Sequence, residues 1–136
     1  MDMRAPVKVY MTKKLIGVKP TTSVQEASKI MMEFDVGSLV VVDDDGNVVG
    51  FFTKSDVIRR VIVPGLPYDT PVSEIMTKDL ITVNSSTPLG EVLKVMAQYR
   101  IKHILVEEEG KIVGIFTLSD LLEASRRKLE TAISTE

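Results

Sequence analysis

The chain has 136 residues, 44% of them hydrophobic, and a formal net charge of −2 from 17 basic and 19 acidic residues. That length and apolar content suit about one domain with a real core and exclude a disordered chain, and the near-neutral balance excludes a global field for nucleic acid or an anionic membrane. With no cysteine and a single histidine, His103, disulfides, thiolate chemistry and a zinc cage are excluded too.

The opening stretch "MDMRAPVKVY" has no apolar segment of signal-peptide length. No run anywhere approaches the roughly 18 apolar residues of a membrane span, so a soluble, cytoplasmic protein is expected. Met11-Thr12 precedes a short strand in "LIGV" (15–18), and the polar turn "KPTTS" leads into a helix. Its Val24, Ala27, Ile30, Met31 and Phe34 recur at intervals of three and four, which predicts one buried face. "VVVDDDGNVVG" (40–50) reads as two strands around an acidic, Gly-containing turn. "GFFTKSD" (50–56) then places Thr53 three residues before Asp56, the capping-box pattern, and a second helix is expected in "VIRRVI". "VPGLPYDTP" (63–71), with three prolines and a glycine, reads as a linker.

The same series then begins again. Met76-Thr77, "LITV" (80–83), Thr87, Glu91, Lys94 and Met96 repeat Met11-Thr12, "LIGV", Thr22, Glu26, Lys29 and Met31 at an offset of 65 residues. The second helix face is Leu89, Val92, Val95, Met96 and Tyr99. The offset falls to 64 at "GIFTLSD" (114–120), because "LVEEEGKIVG" (105–114) is one residue shorter in its turn. A turn deletion of this kind is what a folded repeat tolerates best. The predicted class is α/β (α+β), two β-α-β-β-α repeats. A copy of about 60 residues buries too little alone, so the two are expected to pack with pseudo-two-fold symmetry and paired clefts. The expected organisation is repeat 1 over 7–62, linker 63–71, repeat 2 over 72–125 and a C-terminal helical tail over 126–136.

Met31, Met32 and Met96 read as core. The "DDD" (43–45) and "EEE" (107–109) runs read as solvated turns, since EF-hand spacing is absent. "RRK" (126–128) with Arg59 and Arg60 reads as a solvated helix face, too small for DNA. No metal site and no catalytic residue is expected: there is no activated nucleophile pair or Walker-type glycine loop, so an enzyme is disfavoured.

The doubled order of Met-Thr, helix, hairpin and G-h-h-T-x-S-D resembles a tandem cystathionine-β-synthase (CBS) domain pair, or Bateman module. The match runs from about Val9 to Leu122 and departs from the family at Val40 and Leu105, where a proline is frequent. The resemblance implies a non-catalytic module that binds adenosine ligands, AMP ahead of ADP or ATP, with S-adenosylmethionine and dinucleotides in some relatives. It implies ribose contacts from the motif Asp and ribose or phosphate contacts from its Thr or Ser. One nucleotide site would then comprise Ile16, Val36, Gly37, Ser38, Lys102, His103, Ile115, Thr117, Ser119 and Asp120. The second would comprise Phe51, Thr53, Ser55, Asp56, Ile81 and Ile101. Lys102 and His103 are expected as phosphate contacts and otherwise decorate a strand start. Gly37 and Ser38, their uncharged counterparts, predict two unequal sites, with Asp120's favoured. A homodimer built through helices and an effector partner complete the implied picture. The alternative is a ligand-free dimerisation scaffold, its clefts filled by Phe51, Phe52 and Phe116. Alternation along the strands argues against that, since it sets Phe52 and Phe116 on the face opposite Phe51 and Ile115.

Overall fold

A computed structural model of the chain describes residues 1–134. The chain divides into two compact units, Leu15–Leu80 and a second made of Met1–Lys14 with the chain from Ile81 onward. Each unit holds a three-stranded sheet, with strand order β1-β2-β3 in one and β4-β5-β6 in the other.

In the Leu15–Leu80 unit the elements are β1 (Gly17–Val18), α1 (Val24–Glu33), β2 (Ser38–Val42), β3 (Val48–Thr53) and α2 (Lys54–Asp56), which continues as a π-helical turn through Val57–Ile62. The Val63 N–H bonds to the Ile58 carbonyl, five residues back. β1 runs parallel to β2, and β2 antiparallel to β3 with Val40 opposite Phe51. Period-two alternation sends Leu39, Val41 and Phe52 into a core shared with Val24, Ala27 and Met31 of α1 and with Val61, Val72 and Ile75.

The other unit repeats the plan with β4 (Thr82–Asn84), α3 (Leu89–Tyr99), β5 (His103–Glu108), β6 (Lys111–Thr117) and α4 (Leu118–Ser134). Its core joins Val83, Leu89, Val92, Met96, Ile104, Val106 and Phe116, together with Val7 from the start of the chain. Phe52 and Phe116 are both fully buried and belong to these cores. Residues 135–136 of the expected C-terminal tail lie outside the described residues; α4 carries the rest.

Each core takes its last piece from the segment that precedes the other sheet in sequence. The Val7 N–H bonds to the Thr87 carbonyl at 2.8 Å, and Thr12 pairs with Ile115 of β6 through both backbone bonds, at 2.8 and 2.9 Å. In the Leu15–Leu80 unit the Val72 N–H bonds to the Thr22 carbonyl at 2.8 Å, and Thr77 pairs with Phe51 of β3. The glycine before each pairing is required by close approach. A Cβ on Gly114 would lie 2.6 Å from the Met11 sulfur and 2.9 Å from the Thr12 carbonyl oxygen, and one on Gly50 would collide with the Met76 side chain.

Both long helices that precede a hairpin end in a Schellman motif. After α1, Val36 N–H returns to the Met31 carbonyl and Asp35 N–H to that of Met32, with Asp35 at φ 51°. After α3, Ile101 N–H returns to Met96 and Arg100 N–H to Ala97, with Arg100 at φ 54°. Val36 and Ile101 therefore pack back on their own cores, and the next residues, Gly37 and Lys102, are delivered to the mouths of β2 and β5.

Three expected core residues are corrected. Met32 is 82% exposed, because it lies about 100° around the helix from buried Met31. Phe34, the C-cap of α1, and Tyr99, the last residue of α3, are 44% and 54% exposed, since the apolar stripe ends before the final turn does. No helix among the described residues is long and apolar enough to cross a membrane.

Two stability changes are expected in urea denaturation. Gly114→Ala should lose about 1–3 kcal/mol, since the clash is with the Thr12 backbone as well as a flexible Met; an unchanged midpoint would show that the segment is not held there. Arg100→Gly should gain about 1 kcal/mol or less by relieving a left-handed L-residue, the gain being partly offset by unfolded-state entropy. A loss would mean that the Arg100 side chain holds more than the turn.

Candidate functional site

The two T-x-S-D motifs lie where a strand ends and a helix begins, and both form reciprocal capping boxes. Thr117 N–H donates to Asp120 Oδ2 at 2.9 Å, and Asp120 N–H donates to Thr117 Oγ1 at 3.1 Å. In the first copy Thr53 N–H donates to Asp56 Oδ2 at 2.8 Å, and Asp56 N–H donates to Thr53 Oγ1 at 3.3 Å. The motif thus uses one carboxylate oxygen for its own turn and leaves the other to face outward.

What meets that second oxygen differs between the units. Thr12 Oγ1 donates to Asp120 Oδ1 at 2.9 Å across 108 residues of sequence. Asp56 Oδ1 instead faces the guanidinium of Arg60, with Nε 3.5 Å away, while Arg60 Nη1 donates to the Ile75 carbonyl at 2.7 Å. Arg60 stays exposed, as a solvated Arg59/Arg60 face predicts, but its guanidinium is also tied to the Ile75 carbonyl. One turn after Asp56, its half-exposed side chain is held beside the motif carboxylate.

The residue after each motif threonine ties the turn to the mouth of the neighbouring strand. Leu118 N–H donates to the Lys102 carbonyl at 3.2 Å, and Lys54 N–H to that of Gly37 at 3.1 Å. His103 stands opposite Thr117 in the β5/β6 ladder, and Ser38 opposite Thr53 in β2/β3. One unit therefore gathers Lys102, His103, Thr117, Ser119 and Asp120 on one end of its sheet. Ile101 and Ile81 are half-buried against its core, and Ile115 is buried beneath the Thr12 pairing. The Leu15–Leu80 unit gathers Gly37, Ser38, Thr53, Ser55 and Asp56, with Ile16 and Val36 half-buried against its core and Phe51 in the Thr77 pairing. The two expected site groupings each drew residues from both units.

Chemically, each cluster presents a carboxylate fixed in orientation and an adjacent hydroxyl, at a helix start where the first and third N–H groups are already taken by the Lys102 or Gly37 carbonyl and by the motif threonine. A carboxylate accepts only, so it suits paired hydroxyl donors, and a helix N-terminus suits an anion. The end carrying Asp120 adds the cationic Lys102; the other end has Gly37 in its place.

Thr12 is the contact that sequence reasoning missed. Its signal was the repeated Met-Thr pair, but a reading in chain order gives no reason to couple it with a motif 108 residues away. The acidic turns have a local explanation. Asp43 Oδ1 accepts from the N–H groups of Asp45 and Asn47, and Glu107 Oε2 accepts from Gly110 N–H, so these carboxylates brace their own hairpins. Among the described residues no group of three or more His, Cys, Asp or Glu side chains is arranged to hold a metal ion.

The CBS domain family model matches residues 7–63 and 72–127. The chain is 34% identical over 115 residues to the CBS domain-containing protein YhcV of Bacillus subtilis, covering 85% of this chain and 81% of that protein. It superposes with a TM-score of 0.91 on the crystal structure of a conserved protein from Pyrococcus horikoshii, at 82% identity, covering 93% of this chain and 96% of that one. It also matches the CBS domain pair of protein MJ0100, solved in complex with 5′-methylthioadenosine and S-adenosyl-L-methionine. That match has a TM-score of 0.77 and 28% identity, over 88% and 98% of the two chains. The doubled fold, the doubled capping-box motif and the doubled family match agree: the chain belongs to the CBS domain family and carries two CBS domains.

Proposed function

We propose that this CBS pair is a regulatory module that binds an adenosine nucleotide, AMP ahead of ADP or ATP, and passes its occupancy to an effector protein. CBS pairs serve as regulatory modules, and a relative of the same fold was solved with two adenosine compounds. The observation that carries the reading is the Asp120 carboxylate. It is held by Thr117 N–H and Thr12 Oγ1 and half-buried, at an end of the sheet that also presents Lys102 and His103. Asp120 would accept from the ribose hydroxyls. Thr117 and Ser119 would donate to ribose or phosphate, and Lys102 and His103 would meet the phosphate. Ile115 and its apolar neighbours would serve the adenine. Asp56, with Thr53 and Ser55, would form the second, weaker site. S-adenosylmethionine is the leading alternative ligand, and the cytoplasm, with its nucleotide pool, the proposed location.

Signalling of this kind requires that the ligand bind one packing of the module better than another. A helical dimer interface supplies such an element. Ile58 of the π-helical turn and Leu122 of α4 occupy equivalent positions in the two copies and are 58% and 70% exposed, and Ile62 is 55% exposed. We assign these side chains to a homodimer contact made by the helices. A ligand-free scaffold would use the same surface, so self-association alone does not separate the two readings.

Isothermal titration of ligand-stripped protein with AMP should give saturable binding with Kd on the order of 1–100 µM. Asp120→Ala should weaken it at least about tenfold while costing about 1 kcal/mol or less as a lost cap. Absence of heat with AMP, ADP, ATP and S-adenosylmethionine would leave the scaffold reading in its place. For the interface, light scattering should find a dimer that Ile58→Glu combined with Leu122→Glu converts to monomer. A wild-type monomer would remove the proposed contact.

A further inference from the structure

The two Thr-x-Ser-Asp motifs match in sequence and in capping geometry, yet only one is followed by a cation one helical turn on. Arg60 stands four residues after Asp56, and the equivalent position after Asp120 is Ala124. Arg60 is half-exposed, yet its guanidinium is held in place. Its Nη1 is fixed at 2.7 Å on the Ile75 carbonyl, which orients the guanidinium plane, and its Nε then lies 3.5 Å from Asp56 Oδ1. Asp56 is only 13% exposed at its side chain, and the arginine stands at one of its oxygens.

At Asp56 one oxygen is hydrogen-bonded within its own turn and the other is ion-paired. Oδ2 takes Thr53 N–H at 2.8 Å and Thr53 Oγ1 at 3.2 Å, and Oδ1 faces the arginine. At Asp120 the corresponding oxygen takes a neutral hydroxyl, Thr12 Oγ1, which a ribose hydroxyl can join or replace without separating two charges.

We propose that Arg60 is an internal occupant of the Asp56 motif, a specificity-determining residue that keeps this site weak and makes the Asp120 site the one filled first. This rests on the nucleotide reading above and goes beyond it by naming the residue that ranks the sites. A ligand at Asp56 must first displace the guanidinium from the carboxylate, whereas a ligand at Asp120 meets no such competitor. Because the pair is half-exposed at the arginine, the handicap is modest, about two- to fivefold in affinity.

The test isolates each site in the full-length chain. In an Asp120→Ala background, AMP binding reports Asp56, and adding Arg60→Met, which keeps the apolar stem but removes every donor, should tighten that binding about fivefold or make it measurable for the first time. In an Asp56→Ala background, Ala124→Arg should import the competitor and weaken AMP binding at Asp120 by a similar factor, while Arg60→Met there should change nothing. Circular dichroism and the denaturation midpoint of each variant confirm folding. Unchanged or weaker binding at Asp56 on Arg60→Met overturns the proposal; weaker binding would make Arg60 a phosphate ligand instead. Tighter binding of AMP by Asp120→Ala than by Asp56→Ala overturns the ranking. Wild-type protein that binds neither AMP nor S-adenosylmethionine overturns the nucleotide reading itself, which is distinguishable because it precedes any variant.

Discussion

The closure of each sheet by a Met-Thr segment is the constraint on which the rest depends. Met11 lies over Gly114 and Thr12 pairs with Ile115, while Met76 lies over Gly50 and Thr77 pairs with Phe51. A side chain larger than hydrogen at Gly114 would meet the Thr12 backbone, and one at Gly50 would displace the Met76 side chain. The same segments carry Val7 and Val72 into the cores, each with its own backbone bond to Thr87 or Thr22. The same closure brings the Thr12 hydroxyl to Asp120. Packing at a glycine three residues before Thr117 thus sets the hydrogen bonding of the carboxylate three residues after it.

Local devices do the remaining positioning. The Schellman turns at Asp35 and Arg100 reverse the chain at a fixed angle, so that Gly37 and Lys102 arrive where Lys54 and Leu118 can bond to their carbonyls. The capping boxes then orient Asp56 and Asp120 from the other side. Every residue of the cluster is held by a strand end, a helix start or a turn with a defined bond. A surface held in this way would lower the ordering cost of any ligand that it took.

Much of this was legible in the sequence because it is local or periodic. The repeat, the order of elements, the Phe52/Phe116 faces and both capping boxes follow from spacings of two, three or four residues. What escaped reading depends on where an element stops or on contacts distant in sequence. Phe34 and Tyr99 keep the helical interval but fall at the last turn, where they stay 44% and 54% exposed. Met32 neighbours the buried stripe without belonging to it. Arg60 is a surface cation whose bond to the Ile75 carbonyl, 15 residues away, follows from no local spacing. The partner of Thr12 needed the three-dimensional closure. Comparing the copies position by position would have flagged Arg60 against Ala124, because an otherwise faithful repeat breaks there in charge.

The crossed pairing of segments also orders events during synthesis. The Leu15–Leu80 unit is continuous, so every strand, helix and closing residue it needs has been made once Leu80 has left the ribosome. Residues 1–14 are made first and have no sheet to join until β6 has been made. Their pairing closes a loop of about a hundred residues around a unit already complete, and loop closure of that length is entropically slow to reward. A segment made before the Leu15–Leu80 unit is then fixed after it, and the Thr12 to Asp120 bond reports that the other unit has closed.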